Sequence, residues 1–277
     1  MATMDKQISM EAGKAGSARA RKQLYVKLLR MARRALSLLK PHVRHTEHAL
    51  ENLDVEPSRR QRAARLVGWL RVDMENLARV IDSCDARVVQ GRKVPVEDKV
   101  LSVSDCDVGF IAKGGREPVV GYKPQLGRSG AGFVTALIVP LGNAADSGQL
   151  VPMFEQHVER TRAIPSTVSV DDGYSSAQGR EHLLERGVKV ASISGSKGKH
   201  ITPSEQWDDL EYVAARDGRS AVESLMFTIK HGFDFGRVAR RGIDNVRAEL
   251  LEKVLAYNFC RMAACRREDA QSRRIAA

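Results

Sequence analysis

The chain has 277 residues, enough for one large domain or two modest ones, and its 43% apolar content supports a buried core. Lys and Arg outnumber Asp and Glu by 45 to 34, a formal charge of +11 that points to a polyanionic partner. No apolar run reaches the ~20 residues of a membrane span, no signal-peptide core opens the chain, and the cysteines (84, 106, 260 and 265) show no metal-ligand spacing, so a cytoplasmic protein with free thiols is expected.

Residues 1–18 carry no periodicity and read as disordered. From Ala18 to Lys40, Leu24, Leu28, Met31, Ala35 and Leu38 recur at helical spacing, and Pro41 is expected to end the run. A second helix follows over Val43–Leu53. His42, His45 and His48 lie three apart beside it, but no carboxylate pattern accompanies them, and a solvated face explains them better than a metal site. Eleven Lys and Arg against Asp5, Glu11 and Glu47 give residues 1–50 a net charge of +8. Arg30, Arg33 and Arg34 in this arm are candidates for phosphate contacts. A Ser58-capped helix from Arg59 to Asp85 carries the stripe Leu66, Trp69, Leu70, Met74, Leu77 and Ile81, with Trp69 expected in the core. Residues 19–95 therefore read as a basic helical region, an antiparallel hairpin with an extra turn.

From Val96 the pattern turns to β. Val100–Ser104, Val119–Leu126 and Phe133–Pro140 read as strands, separated by glycine-rich turns at Lys113–Arg116 and Gly127–Gly132. A helix from Asn143–Asp146 to Thr161, a strand over Pro165–Val170, a helix over Ser176–Arg186, a strand over Val188–Ser194 and a helix over Asp217–His231 follow. A three-strand meander followed by alternating helix and strand is the ribonuclease H-like order. The expected fold is α/β, a ribonuclease H-like mixed sheet flanked by helices and preceded by a small all-α region, with the sheet domain at 96–262 and a basic tail at 263–277.

Three acids organise this second part. Asp105 closes the apolar run after Lys99, Asp171 closes the strand after Thr167, and Glu223 sits on the later helix. Two carboxylates at strand ends and a third on a helix form a layout suited to a divalent metal pair, whose charge relieves the repulsion of clustered acids. Asp107 would share a strand face with Asp105, so either can be the first acid; Asp105 is favoured because it ends the unbroken run. Arg219, four residues before Glu223, lies on its face, and Lys230 is two turns on. Asp172 reads as a turn residue and Asp146 as a helix start. Tyr122, Lys123 and Gln125 suit DNA contact or strand packing equally.

The residues around these acids resemble a known family. Asp171-Asp172-Gly173-Tyr174 is similar to the Asp-x-Gly-Tyr/Phe block around the second catalytic acid of insertion-sequence DDE transposases. Arg219, Glu223 and Lys230 are spaced like the block around the third acid, although Arg216 stands where that block has a tyrosine. Gly121-Tyr122-Lys123-Pro124-Gln125, Gly142-Asn143-Ala144-Ala145-Asp146, and Arg237 to Gly242 with Ala256-Tyr257-Asn258 complete a resemblance to the ISNCY-type branch over roughly residues 20–262.

The resemblance implies a DNA transposase that hydrolyses phosphodiesters and transfers strands at insertion-sequence ends. Its catalytic acids would be Asp105 or Asp107, Asp171 and Glu223. Asp105, Asp171 and Glu223 would hold two Mg²⁺ ions, with Mn²⁺ as a substitute. Arg219, Lys230, Lys123, Arg30, Arg33 and Arg34 would bind double-stranded DNA, both element inverted repeats and target, as a homodimer in the prokaryotic cytosol. Such enzymes usually carry a longer N-terminal region, which implies truncation here. The alternative is therefore a catalytically impaired copy that acts only as a DNA-binding protein or inhibitor. A host nuclease would explain the acids but not the blocks around them.

Overall fold

The structure is a computed structural model that describes residues 8, 11–52, 54–95, 100–111 and 119–276. It divides into two units, Met1–Cys106 and Asp107–Ala277. The turn anticipated at 113–116 lies outside the described residues, as do residues 1–7, 9 and 10 of the opening stretch. Residues 11–14 are helical with Ala12 buried, where composition had suggested no order.

The first unit is a helical hairpin of α1 (Ala18–Asn52) and α2 (Pro57–Cys84), the latter ending in a wider π turn, Asp85–Val89. Arg33 pairs with Asp85 at 3.4 Å and Arg71 with Glu47, a reversed order that makes the helices antiparallel. Pro41 does not end the first helix; α1 runs through it, so the two expected helices are one. A mid-helix proline removes a hydrogen bond at a cost of about 3 kcal/mol. Leu29 and Val43, buried on either side of it, and packing along α2 offset that loss. The α2 start is set by Pro57 in the first turn, where its missing N–H is harmless, and Glu56 rather than Ser58 holds the cap position.

Only the C-terminal half of the α2 stripe reaches the interior. Ile81 is buried, but Leu66 and Leu70 are exposed, and Trp69 is 61% exposed with the Arg65 guanidinium 6.0 Å above its ring. Trp69 is thus not the core residue its periodicity suggested; a two-helix hairpin offers one opposing surface. Val100–Ser104 is not a strand. Its Val103 carbonyl accepts a hydrogen bond from the buried Asn76 side chain at 3.1 Å, so a helix side chain takes the place of a strand neighbour.

In the second unit, β1 (Gly109–Ile111) and β2 (Val119–Gly121) pair antiparallel, as do β3 (Gln125–Arg128) and β4 (Val134–Ile138). The single strand expected over Val119–Leu126 is interrupted before Pro124, which has no N–H for a ladder. A 3₁₀ turn, Asp146–Gln149, leads into α3 (Leu150–Thr161); β5 (Thr167–Val170) and β6 (Val190–Ile193) then pair in parallel around α4 (Ala177–Glu185). The chain continues through α5 (Gly195–Ile201), α6 (Ser204–Trp207), α7 (Leu210–Gly218), α8 (Ser220–Gly232) and α9 (Ile243–Ala276). The helix expected over Asp217–His231 is broken at Arg219, just after Gly218, a poor helix former. The unit is an α/β fold whose strands form three two-stranded ladders among the described residues, not the continuous mixed sheet expected. No described helix is long and apolar enough to cross a membrane.

Two apolar clusters hold this unit. One joins β4 (Val134, Leu137) to α8 (Leu225, Ile229) and to Val246, Leu250 and Val254, a stripe of four-residue spacing along α9. The other packs Leu150 and Phe154 of α3 against Leu183 of α4 and Ala191 and Ile193 of β6. Burial of each large side chain contributes about 1.5–3 kcal/mol. Polar side chains of α9 fix what the apolar stripe leaves open. Asn258 exchanges hydrogen bonds of 2.9 and 2.8 Å with the N–H and carbonyl of Val134, and Tyr257 donates to the Gly132 carbonyl at 2.8 Å. Buried Glu249 accepts from the backbone N–H groups of Ala239 and Arg240, and Lys253 reaches the carbonyls of Asp234 and Arg237. These contacts fix the loop at 237–242.

Burial works to raise the Glu249 pKa, but the Lys253 ammonium at 2.7 Å and the two backbone donors overcome it and hold the carboxyl down at about 2. The folded value lies below the ~4.3 of a free glutamate, so this stabilisation is complete above about pH 4.3 and is lost as pH falls towards about 2. Melts through that window should show an acid-side loss in the native protein that Glu249→Gln lacks. At neutral pH the variant should be less stable by roughly 1.5–3 kcal/mol. Parallel pH profiles would contradict the clamp.

Candidate functional site

The site begins where the parallel ladder ends. Val168, Val170, Ala191 and Ile193 anchor β5 and β6 in the second cluster, in the register Thr167↔Val190 through Val170↔Ile193. Asp171 follows directly, exposed and in extended conformation, at the strand end that its sequence pattern gave. Its Oδ1 accepts the Gly173 N–H at 2.9 Å and so opens the tight turn Asp172–Tyr174.

Gly173 is where two acids meet. A Cβ at this position would lie 3.0 Å from Asp171 Oδ1 and 3.1 Å from Asp146 Oδ2, so both carboxylates crowd one point that only hydrogen leaves clear. Asp146 starts the 3₁₀ turn before α3, where Ala145 holds the cap position. The Asp146 Oδ1 takes the Lys123 ammonium at 2.6 Å and the Gln125 amide at 2.9 Å. Gln125, buried on β3, accepts through its other amide atom from the Tyr174 hydroxyl. Burial first, then the charges of Asp146 and Asp171, push the Tyr174 phenol well above its ordinary pKa, and it remains a neutral donor. Three sequence blocks, 121–125, 142–146 and 171–174, therefore converge through side chains.

Asp146 is the residue that sequence reasoning read as a helix start rather than a ligand, and Gln125 and Tyr174, read as a DNA or packing residue and as part of a family block, are its partners. The signal was present: Asp146 closes a block whose order matched the family, but an acid before a helix also fits a routine helix start. Its tertiary partners are 21 or more residues away.

The other candidates are placed as follows. Asp172 turns away from Asp171 and accepts from the N–H groups of Lys197 and Gly198 at 2.8 and 3.1 Å, the structural role expected of it. Asp107 Oδ2 accepts the N–H of Ile243 at 2.7 Å, placing its charge at the start of the long helix α9, where the helix dipole favours an anion. Asp105 lies in the first unit, half-buried in irregular chain and not at a strand end. Glu223 is in the first turn of α8 with its side chain exposed, paired at 3.4 Å with Arg219 at the helix start. Lys230 is exposed two turns on, and exposed Phe227 lies between Glu223 and Lys230 along that face. Lys123 is committed to Asp146. In the first unit Arg30 and Arg34 are exposed and Arg33 pairs with Asp85.

Among the described residues, no three acids, histidines or cysteines gather into a group able to hold a metal ion. The pair at Gly173 fits a hard divalent cation in kind, since both donors are carboxylate oxygens directed at one point beside an exposed strand end.

A family profile described as the Transposase DDE domain matches residues 76–259. The chain is also 26% identical over 175 residues to the transposase for insertion sequence element IS1106 of Neisseria meningitidis serogroup B. That alignment covers 63% of this chain and 56% of the relative, so the chain spans little more than half of that protein's length. No solved structure matches the chain significantly. The profile covers well over half of the sequence and takes in Asp105, Asp107, Asp146, Asp171 and Glu223, and the protein belongs to the Transposase DDE domain family.

Proposed function

We propose that the chain acts in DNA transposition as a nuclease and strand transferase, cutting phosphodiesters at insertion-sequence ends and joining them to target DNA. The observation that carries this reading is the convergence of Asp146 and Asp171 on Gly173 at the end of a parallel ladder, within a transposase-family chain. Asp171 and Asp146 would supply carboxylate oxygens to a divalent ion, with Asp105 and Glu223 as the further acids that the family resemblance assigns. Mg²⁺ or Mn²⁺ bound as a pair would activate the attacking oxygen and offset charge on the phosphate.

The chain's own groups have distinct tasks in this scheme. Lys123 balances Asp146, and the Tyr174–Gln125 hydrogen bonds fix the direction of its carboxylate. Arg219 orients Glu223, and with Lys230 it presents positive charge to a phosphate beside the cut. This reading keeps Asp105 as the first acid, as the apolar run before it suggested, and gives Asp107, whose Oδ2 accepts the Ile243 N–H at the start of α9, a structural part. Arg30, Arg33 and Arg34 would follow the duplex backbone, and two copies would act together on the paired ends. A second reading, a DNA-binding protein without catalysis, is favoured by one observation: the acids at 105, 171 and 223 are not gathered into one group among the described residues.

Two expectations separate these readings. In a nicking assay on a labelled element end, Asp105→Asn, Asp146→Asn, Asp171→Asn and Glu223→Gln should each lose several orders of magnitude, whereas Asp107→Asn keeps most activity. Added Mn²⁺ should stabilise the native protein, by about 2.7 kcal/mol at a hundred times its Kd, and the Asp171 and Glu223 variants should lose that gain. Full cleavage and a full Mn²⁺ shift in Glu223→Gln would remove Glu223 from the metal shell, whereas no cleavage by the native protein would leave the DNA-binding reading. Separately, replacing Arg30, Arg33 and Arg34 by Ala should weaken binding to every duplex and lower the salt slope by about 0.9 for each phosphate no longer neutralised. An unchanged slope would assign the arm to solubility.

A further inference from the structure

The segment after β6 belongs to none of the family blocks, yet it lies beside Asp171. Because β5 and β6 are parallel, their C-terminal ends open on the same side, where ligands of such sheets are bound. Ser194 donates to the Val170 carbonyl through both its N–H, at 3.0 Å, and its hydroxyl, at 3.3 Å. The next residue, Gly195, has φ +92° and a Cβ there would fall 2.5 Å from Asp172 Cγ. A Cβ on Gly198 would fall 2.1 Å from the Ile193 carbonyl oxygen. No side chain fits either position as the backbone stands.

The segment is thus built tightly against the strand ends, and its leading N–H groups, those of Lys197 and Gly198, are already taken by Asp172. Any anion here must be held by side chains. Lys197, Lys199 and His200 are all exposed, and none has an ion pair among the described residues. Lys123, Arg219 and Lys253, by contrast, are each matched to a carboxylate. Unmatched cations on a rigid support beside two acids call for a polyanion that bridges the two charge types. A DNA strand, with several phosphates in a row, has that chemistry.

We propose that Lys197 and Lys199, assisted by His200, hold the phosphates that flank the scissile phosphodiester, positioning it at Asp171. The proposal rests on the DNA-cleaving reading of the site. It is tested with the full chain on a labelled duplex element end, by measuring binding at several salt concentrations, Mn²⁺-dependent nicking and the Mn²⁺-induced melting shift. The double variant Lys197→Ala/Lys199→Ala should lower the salt slope by about 0.9 for each phosphate it no longer holds and slow nicking at sub-saturating DNA more than tenfold. Its Mn²⁺ shift should match the native protein's. The corresponding double arginine variant should restore binding, and Lys189→Ala, at the opposite end of β6, should change nothing. If the native chain nicks and the alanine pair leaves slope and nicking intact, the proposal is wrong while the catalytic reading stands. If the native chain neither binds nor nicks, the catalytic reading fails and this proposal with it.

Discussion

Asp146 and Asp171 bring two negative charges to one point above Gly173, and much of the surrounding chain compensates for that crowding. Like charges directed at one point repel, with solvent at the exposed Asp171 screening part of the effect. Lys123 places an ammonium 2.6 Å from Asp146, and the Gly173 N–H answers Asp171. The Tyr174 phenol, kept neutral, acts through Gln125 on the far side. Lys123 and Gln125 come from one stretch of chain and Gly173 and Tyr174 from another, so the charge pair links β3, the turn before α3 and the turn after β5. A network of this kind is worth more than its separate bonds only while every member is satisfied.

The rest of the second unit makes that convergence rigid. The helix α9 begins under the Asp107 carboxylate, carries the apolar stripe Val246, Leu250 and Val254, and ends its packed stretch with Asn258 on the backbone of Val134. Asn258 completes the edge of β4 as another strand would. Arg247 donates to the Val139 carbonyl at 3.2 and 3.1 Å where that strand has ended. Because β4 pairs with β3, fixing it also fixes Gln125, and the network at Gly173 inherits that order. The late sequence blocks at 237–242 and at Tyr257 and Asn258 therefore read as scaffold, with Glu249 and Lys253 holding the first.

What the sequence revealed was what local pattern controls. Alternating apolar residues marked β5 and placed Asp171 one residue beyond it. Helical spacing marked the hairpin of the first unit, and the ordered blocks pointed to the family. What it hid depended on partners distant in sequence. Pro41 reads as a stop until Leu29 and Val43 are seen buried on both sides of it. Val100–Ser104 reads as a strand until Asn76 takes its carbonyl, and Trp69 reads as core although the hairpin has no second surface to cover it. Asp146 is the helix start it reads as, but only its distant partners Lys123 and Gln125 show that it also faces Asp171. The α/β class was legible, whereas strand pairing was not, because Pro124 and short strands break the ladders that composition alone would extend.

The acids at Gly173 are proposed here to bind a divalent ion. Iron-directed cleavage of the polypeptide tests it most directly, since Fe²⁺ in a Mg²⁺ site generates radicals that cut the backbone beside it. With Fe²⁺ and ascorbate, cuts are expected near Asp146 and near Asp171–Tyr174, suppressed by excess Mg²⁺ and lost together in Asp171→Asn. Cuts confined to other segments, such as the helix bearing His42, His45 and His48, would contradict the claim.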